Sequence, residues 1–287
     1  MIRSEIEKNI ASIIEKCRLR FAPGSSDSAD SPPTQETLRP EIRRVSLIAF
    51  LAHSVLGSGA SGPGLEVGSG YGYLLLPMAS LFPNIRWSAI DHPGQPYATR
   101  PTYRSTFLEY NCDFAIVDLT REILPFPNDH FSVVTFSEVL EHLPPEHLNF
   151  ILQEIARTIR PGGVFIASSP NQASLENRLR LLRGKSILEM PDENARAKGV
   201  FGHIRLYTPA EMQSAMAKLG FALERCVIES NNSGYRGTSD RSLRSRIYRM
   251  YERLESRVGL LRSLGDTWYM AFRKDSISAP TNEKPPC

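Results

Sequence analysis

Three side chains that can take up a proton stand close together in the middle of the chain: Glu138, Glu141 and His142. If this segment forms one helical turn, the spacings i, i+3 and i+4 bring all three to one face. An imidazole beside carboxylates can remove the proton of a hydroxyl group, so His142 is the candidate general base. The preceding apolar stretch, residues 131–136, predicts a buried strand. We therefore expect acid–base chemistry at the end of a strand.

A glycine-rich run predicts a second site. The sequence LEVGSGYG (65–72) has the pattern of a buried strand, a tight turn and the start of a helix. Glycine lets the backbone turn sharply and lets a ligand approach it closely. The N-terminus of the following helix offers unpaired N–H groups. This arrangement favours a nucleotide-like cofactor at the carboxyl edge of a parallel sheet.

Acidic residues occur at the ends of three successive predicted strands. Glu66 lies inside the glycine-rich run, Asp91 ends the second strand and Asp118 ends the third. A carboxylate at the second strand end can accept hydrogen bonds from both hydroxyls of a ribose. A carboxylate at the third can accept one from an exocyclic amine, although Asp118 could instead only cap a turn.

The elements that must position these residues alternate along the chain. Apolar runs predict strands at 65–67, 86–90, 114–117, 131–136, 164–167, 221–228 and 267–272. Helical periodicity predicts helices at 1–20, 37–56, 73–82, 144–159 and 208–219, with Thr208 as an N-cap and Pro161-Gly162-Gly163 as the stop of the fourth helix. The expected fold is α/β: a doubly wound, mostly parallel seven-stranded sheet with an N-terminal helical extension.

The composition is that of one large domain. The chain has 287 residues, a formal net charge of +3 and four scattered cysteines. The scattered cysteines and the lack of a secretory signal or a membrane-length apolar run predict a cytoplasmic enzyme. We expect an N-terminal helix and Ser/Pro-rich linker at 1–36, the main domain at 37–274 and a disordered tail at 275–287.

The motifs and their order along the chain resemble those of the class I S-adenosylmethionine-dependent methyltransferases, in their small, mostly bacterial form. The matching segments are LEVGSGYG (65–72), WSAID (87–91), residues 116–143, RTIRPGGVFIASSPN (157–171) and residues 203–221. A nicotinamide dinucleotide is a weaker alternative, because the loop does not satisfy G-x-G-x-x-G. The resemblance implies methyl transfer from S-adenosylmethionine, with cofactor contacts from Glu66, Gly68, Ser69, Gly70, Tyr71, Gly72, Asp91, His92, Asp118, Leu119 and Ser137.

The same resemblance raises the question of a metal. The E-x-x-E-H pattern is similar to the divalent-metal cluster of ubiquinone-biosynthesis and small-RNA 2′-O-methyltransferases. It implies a possible Mg²⁺ or Mn²⁺ site made of Glu138, Glu141, His142 and His203. We favour the alternative without metal, in which Glu138 lines the pocket and Glu141 pairs with a nearby arginine, Arg157 or Arg160. His203 and Arg205 are expected to contact the substrate, or only to orient their loop.

The acceptor is not encoded in a readable motif. We expect a small molecule methylated at oxygen. The alternatives are metal-assisted methylation of a catechol-like or RNA 2′-hydroxyl acceptor, and a cofactor-binding scaffold without catalysis. Residues 236–262 are rich in arginine. We favour a solvated helix face for this segment, followed by a contact with membrane headgroups and then by a nucleic-acid contact. A nucleic-acid partner is not expected, and the oligomeric state is left open.

Overall fold

The computed structural model describes residues 2–21, 35–95, 101–188, 202–230 and 263–276. Its centre is one sheet of seven strands in the order β3-β2-β1-β4-β5-β7-β6. The first five strands run parallel, and β7 is antiparallel to both of its neighbours. The strands are β1 (Gly62–Val67), β2 (Ile85–Asp91), β3 (Asp113–Ile116), β4 (Phe131–Ser137), β5 (Ile159–Pro170), β6 (Phe221–Glu229) and β7 (Thr267–Lys274).

Helices cover both faces of the sheet. They are α1 (Ile2–Phe21), α2 (Gln35–Leu56), α3 (Leu75–Leu81), α4 (Pro101–Glu109), α5 (Leu148–Thr158), α6 (Leu175–Leu182) and α7 (Pro209–Ala217), with 3-10 turns at Leu140–His142 and Pro145–His147. Apolar side chains of α1 to α4 form one core against the sheet, and those of α5 and α7 form a second core on the opposite face. The predicted doubly wound, seven-stranded α/β fold is confirmed.

The strand order places the switch point between β1 and β4. From β1 the chain moves outward to β2 and β3, and then returns to place β4 on the other side of β1. Crossovers therefore leave in opposite directions at this point, and the carboxyl ends of β1 and β4 open a crevice between them. Both the glycine-rich run and the Glu138–His142 segment begin at that edge.

The prediction for the fourth helix was partly wrong. The α-helix starts at Leu148, after a 3-10 turn, and ends at Thr158. Pro161-Gly162-Gly163 does not stop it but lies inside β5, where the pairing register jumps from Phe131↔Ile159 to Val133↔Val164. The residues between those pairs bulge out, and Gly162 takes up the turn with φ 74°.

Two helices, α4 and α6, were not predicted; α4 shows little apolar periodicity, whereas Leu175, Leu179 and Leu182 of α6 have helical spacing. The helix α7 was predicted with its cap, and the structure gives a full capping box. The Thr208 hydroxyl accepts from the Glu211 N–H, and the Glu211 carboxylate accepts from the Thr208 N–H.

The N-terminal helix belongs to the first core. Ile10, Ile13 and Ile14 are buried there with residues of α2. Among the described residues, none of the helices is long and apolar enough to cross a bilayer. The arginine-rich stretch 236–262 and residues 277–287 of the predicted tail lie outside the described residues, and the division into 1–36, 37–274 and 275–287 stays a prediction.

Candidate active site

The turn after β1 depends on glycine. Gly68 has φ 76°, and a Cβ built on it would lie 2.3 Å from Val139 Cγ2. A side chain at this position would therefore collide with the segment that leaves β4. The Val139 side chain packs directly against Gly68 and so joins the glycine turn to the Glu138–His142 segment.

Asp91 and Tyr103 hold the turn in place. The Asp91 carboxylate accepts from the Gly70 N–H at 2.8 Å and from the His92 N–H at 2.7 Å. The Tyr103 hydroxyl donates to the Gly70 carbonyl and lies 3.1 Å from the Ser69 hydroxyl. Burial and the nearby Asp91 raise the pKa of Tyr103, which keeps it a neutral donor. Tyr103 was not predicted, since the helix that carries it has no clear sequence signal.

A buried arginine faces the turn from α2. Arg44 Nη1 donates to the Ser137 hydroxyl at 2.9 Å, Arg44 Nη2 pairs with Glu41, and Arg44 Nε has no hydrogen-bond partner. On the same face of the sheet Glu66 is 3% exposed, and its Oε2 also has no partner. A guanidinium and a buried carboxyl group thus end in the same crevice with bonding capacity unused.

The charges in this crevice shift one another's ionisation. Burial raises the pKa of Glu66 well above its usual range, Asp91 adds to this, and Arg44 opposes it. Burial also raises the pKa of Glu138, against the effect of Arg44. For Arg44, burial works against the charge, but Glu41 and Glu138 outweigh it and raise the pKa. The guanidinium therefore stays charged, and it is the cation that holds these buried acids.

Successive serines of β5 separate the two predicted glutamates. The Ser168 hydroxyl donates to Glu138 at 2.8 Å, and the Ser169 hydroxyl donates to Glu141 at 3.0 Å. Neighbouring residues of a strand point to opposite faces, so Glu138 lies toward α2 and Glu141 toward α5 and α7. The expectation that Glu138, Glu141 and His142 share the face of one helical turn was wrong. Glu138 precedes the 3-10 turn and has φ 55°, a left-handed conformation that does not belong to a right-handed helical turn.

Glu141 and His142 meet His203 instead. His142 Nε2 lies 3.9 Å from Glu141 Oε1, and the rings of His142 and His203 are 5.0 Å apart. Glu141 is 1% exposed, and neither Arg157 nor Arg160 pairs with it, since Arg157 bonds Glu154. Burial raises the pKa of Glu141 to about 8, with a further contribution from Glu138.

The remaining predicted residues occupy less deeply buried positions. Asp118 accepts from the N–H and hydroxyl of Thr120, which matches the turn-cap alternative. Burial opposes ionisation of Asp118, but these hydrogen bonds lower its pKa, and His92 Nε2 lies 3.7 Å away. Tyr71 lies against Tyr73, and Leu119 packs on the second core. Arg205 bonds Glu211 and stacks over Tyr207, so its contacts orient the loop before α7.

A model of the methyltransferase-domain family matches residues 35–225. This chain belongs to that family. Membership in this family implies S-adenosylmethionine as the cofactor, and the glycine turn lies at the switch point described above.

Individual relatives of the methyltransferase are distant. It is 23% identical over 168 residues to the tRNA N(3)-methylcytidine methyltransferase Mettl2 of Drosophila melanogaster, and the match covers 57% of this chain and 50% of that protein. The chain thus spans about half the length of this curated relative.

Solved structures share the fold. A SAM-dependent methyltransferase from Archaeoglobus fulgidus aligns with a TM-score of 0.51 and 16% identity, over 80% of this chain and 94% of its own. The [4+2]-cyclase SpnF aligns with a TM-score of 0.53 and 14% identity, over 93% and 94%. At such identities the likeness shows the fold alone.

Arg44, like Tyr103, is a site residue that the sequence did not predict. It lies in line with Ile48, Leu51 and Val55, at i+4, i+7 and i+11, and so belongs to the apolar stripe of α2. An arginine within an apolar stripe is the signal that could have found it.

Proposed function

We propose that this methyltransferase methylates a hydroxyl oxygen of a small-molecule acceptor, with His142 accepting the hydroxyl proton. The observation that carries the proposal is the orientation of His142. Its Nδ1 lies 3.3 Å from the Gly202 carbonyl, which can only accept, so the neutral ring carries its lone pair on Nε2. The side chain is 32% exposed and stands at the carboxyl edge of the sheet. A proton acceptor is thus accessible where an acceptor hydroxyl would arrive.

The crevice between β1 and β4 suits the cofactor. S-adenosylmethionine supplies an already electrophilic methyl group on a sulfonium. Its amino-acid end carries an ammonium and a carboxylate, and the unsatisfied Glu66 Oε2 and Arg44 Nε offer one partner for each. We assign Glu66 and Arg44 to that end and Asp91 to the ribose.

The other assignments follow the edge of the sheet. We place His92, Asp118 and Leu119 beside the adenine and Ser137 beside the reacting end, with the glycine turn (Gly68, Ser69, Gly70, Tyr71, Gly72) between them. The hydrogen bonds to Asp91 and Tyr103 already hold this turn in one conformation, so little ordering is left for binding. The protein's task is then to orient the acceptor and to exclude water.

The experiment must also distinguish two other functions. The Drosophila relative is named for a tRNA product, so tRNA belongs among the acceptors tried. A cyclase with the same fold illustrates that fold does not dictate chemistry. The second alternative function is therefore binding of the cofactor without methyl transfer.

The test offers phenols, sugars and unmodified tRNA to the full-length protein and measures S-adenosylhomocysteine formation, with mass spectrometry of the product. We expect O-methylation of a small molecule. His142→Asn should lower kcat by about 10²-fold or more, while its affinity for S-adenosylhomocysteine stays within about twofold. His147→Asn, five residues away in the next 3-10 turn, is the matched control. Methyl transfer to nitrogen or to tRNA alone, or tight cofactor binding without turnover, would each contradict the proposal.

A further inference from the structure

One group of possible metal ligands converges at the carboxyl edge of the sheet, where the Glu141 side chain turns toward the face opposite that of Glu138. A carboxylate oxygen of Glu141 and ring nitrogens of His142 and His203 all lie within 4.8 Å of one another. We propose that these three side chains bind one divalent transition-metal ion. Glu138, which the sequence pattern had included, is excluded because it lies toward α2 with Arg44 and Ser168.

The carboxylate provides evidence that the spacing alone does not. Glu141 is 1% exposed, and its Oε2 accepts from the Ser169 hydroxyl. Its Oε1 has no hydrogen-bond partner and is the oxygen that faces His142 Nε2 at 3.9 Å. A buried carboxylate oxygen without a donor is costly. A cation between Oε1 and the two imidazoles would remove that cost.

The histidines are held by backbone contacts rather than by the metal. The Glu141 carbonyl accepts from the N–H groups of Ile204 and Arg205, at 2.7 and 3.3 Å. These bonds fix the loop that carries His203 against the 3-10 turn that carries His142. The contact of His142 Nδ1 with the Gly202 carbonyl directs Nε2 toward Glu141. A ligating histidine whose other nitrogen donates to a carbonyl is the usual arrangement around protein metals.

The donor set indicates the class of metal. Two imidazoles and one carboxylate suit Zn²⁺, Mn²⁺ or Fe²⁺ better than Mg²⁺, which prefers oxygen ligands. Ligands at Zn–N and Zn–O distances of about 2 Å lie roughly 3.3 Å apart, so ligand atoms up to 4.8 Å apart must approach one another by as much as about 1.5 Å on binding. His203 is exposed, which gives the ion a path from solvent.

Three protein ligands leave coordination positions for a substrate oxygen. A hydroxyl bound there would lose its proton more readily. This catalytic consequence, unlike the metal binding itself, rests on the proposed methylation of a hydroxyl. In the metal-free protein His142 would accept the proton, and in the metal-bound protein His142 would serve as a ligand while the ion acidifies the hydroxyl.

The test titrates the chelator-stripped, full-length protein with Co²⁺ alone, followed by absorption, and with Zn²⁺ alone, followed by calorimetry. We expect one equivalent to bind, and His203→Ala and Glu141→Gln to weaken binding at least about tenfold each. Ser169→Ala should also weaken it, because the Ser169 hydroxyl orients the carboxylate. His147→Ala is the matched control and should leave the affinity unchanged. Circular dichroism and thermal unfolding establish that each variant is folded.

Failure of this proposal is separable from failure of the proposed function. If the metals do not bind, or bind equally well to His203→Ala and Glu141→Gln, the site is refuted and Glu141 and His142 form only an ion pair. S-adenosylhomocysteine binding to the metal-free protein is measured in parallel. Metal binding without nucleotide binding would refute the proposed function and leave the metal site standing.

Discussion

Arg43 and Arg44 are adjacent in α2, but their side chains have different environments. Arg43 is 31% exposed and pairs with Glu229 of β6 at 2.8 Å. Arg44 is 15% exposed and reaches the Ser137 hydroxyl at the switch point. One residue along a helix rotates a side chain by about 100°, which places one arginine at the rim and the other in the crevice. The partly exposed Arg43 ion pair contributes little to stability. The buried Arg44 guanidinium, whose Nε has no hydrogen-bond partner, is instead available to bind a ligand near Glu66.

These two arginines provide a matched test of the cofactor assignment. Arg44→Met should weaken S-adenosylhomocysteine binding by at least about tenfold, since a charge-assisted hydrogen bond contributes about 1.5–3 kcal/mol. Arg43→Met should change it less than about twofold. Calorimetric titration measures both.

Arg44→Met also leaves buried acids without their cation, so a loss of stability is expected. Arg44→Lys keeps the charge and separates the two effects. Equal affinities in Arg43→Met and Arg44→Met, both folded, would remove Arg44 from the cofactor site.

At the scale of elements, the approach to α7 is fixed by a short polar network. Glu211 receives hydrogen bonds from the backbone and hydroxyl of Thr208 and from Arg205. Burial opposes ionisation of Glu211, but these bonds outweigh it and lower its pKa, so the carboxylate stays ionised. The loop of residues 202–208, which carries His203, is therefore anchored at one end by the cap and at the other by the Glu141 carbonyl.

The N-cap of α7 contributes measurably to the free energy of unfolding. Thr208→Ala should lower the free energy of unfolding by about 1 kcal/mol, because the Glu211 N–H loses its acceptor. Denaturant unfolding gives the value. Ser214→Ala removes a hydroxyl from an exposed position within the same helix and should be neutral or slightly stabilising. If both variants lose the same stability, the capping box is not the cause.

At the scale of the whole molecule, the buried acids make stability depend on pH. Glu141 has a pKa of about 8 in the folded protein, against 4.5 ordinarily. The folded state thus holds this proton more tightly than the unfolded chain does. The stabilisation that this bound proton gives the folded state is complete below about pH 4.5 and is lost as the pH rises toward 8.

Glu141→Gln carries an uncharged group of the same shape and should abolish this dependence. In chelator, the free energy of unfolding of the wild type should therefore fall relative to that of the variant between pH 5 and pH 8, by at least about 1 kcal/mol. Urea unfolding at each pH measures the difference. Parallel curves for the two proteins over this range would mean that the Glu141 pKa is not raised.

The sequence by itself determined the alternation of strands with most of the helices along the chain, the glycine turn and the cap of α7. Each of these depends on local properties: apolar periodicity, the freedom of glycine at Gly68, and the short reach of the Thr208 hydroxyl. The sequence also placed Asp91 and Glu138 at strand ends, because a strand end is visible where an apolar run stops. The ends of elements were less accurate, as α5 and the bulge in β5 illustrate.

Only the tertiary structure decided which side chains meet. Strand alternation across Ser168 and Ser169 separates Glu138 from Glu141, although the two are three residues apart. Helix rotation directs Arg44 into the crevice, and the loop carrying His203 is brought to Glu141 by backbone hydrogen bonds across a long separation in sequence. Such contacts depend on how elements pack and on which face each residue occupies. The local sequence pattern does not identify which distant side chain a residue will contact, so these contacts form only when the chain has folded.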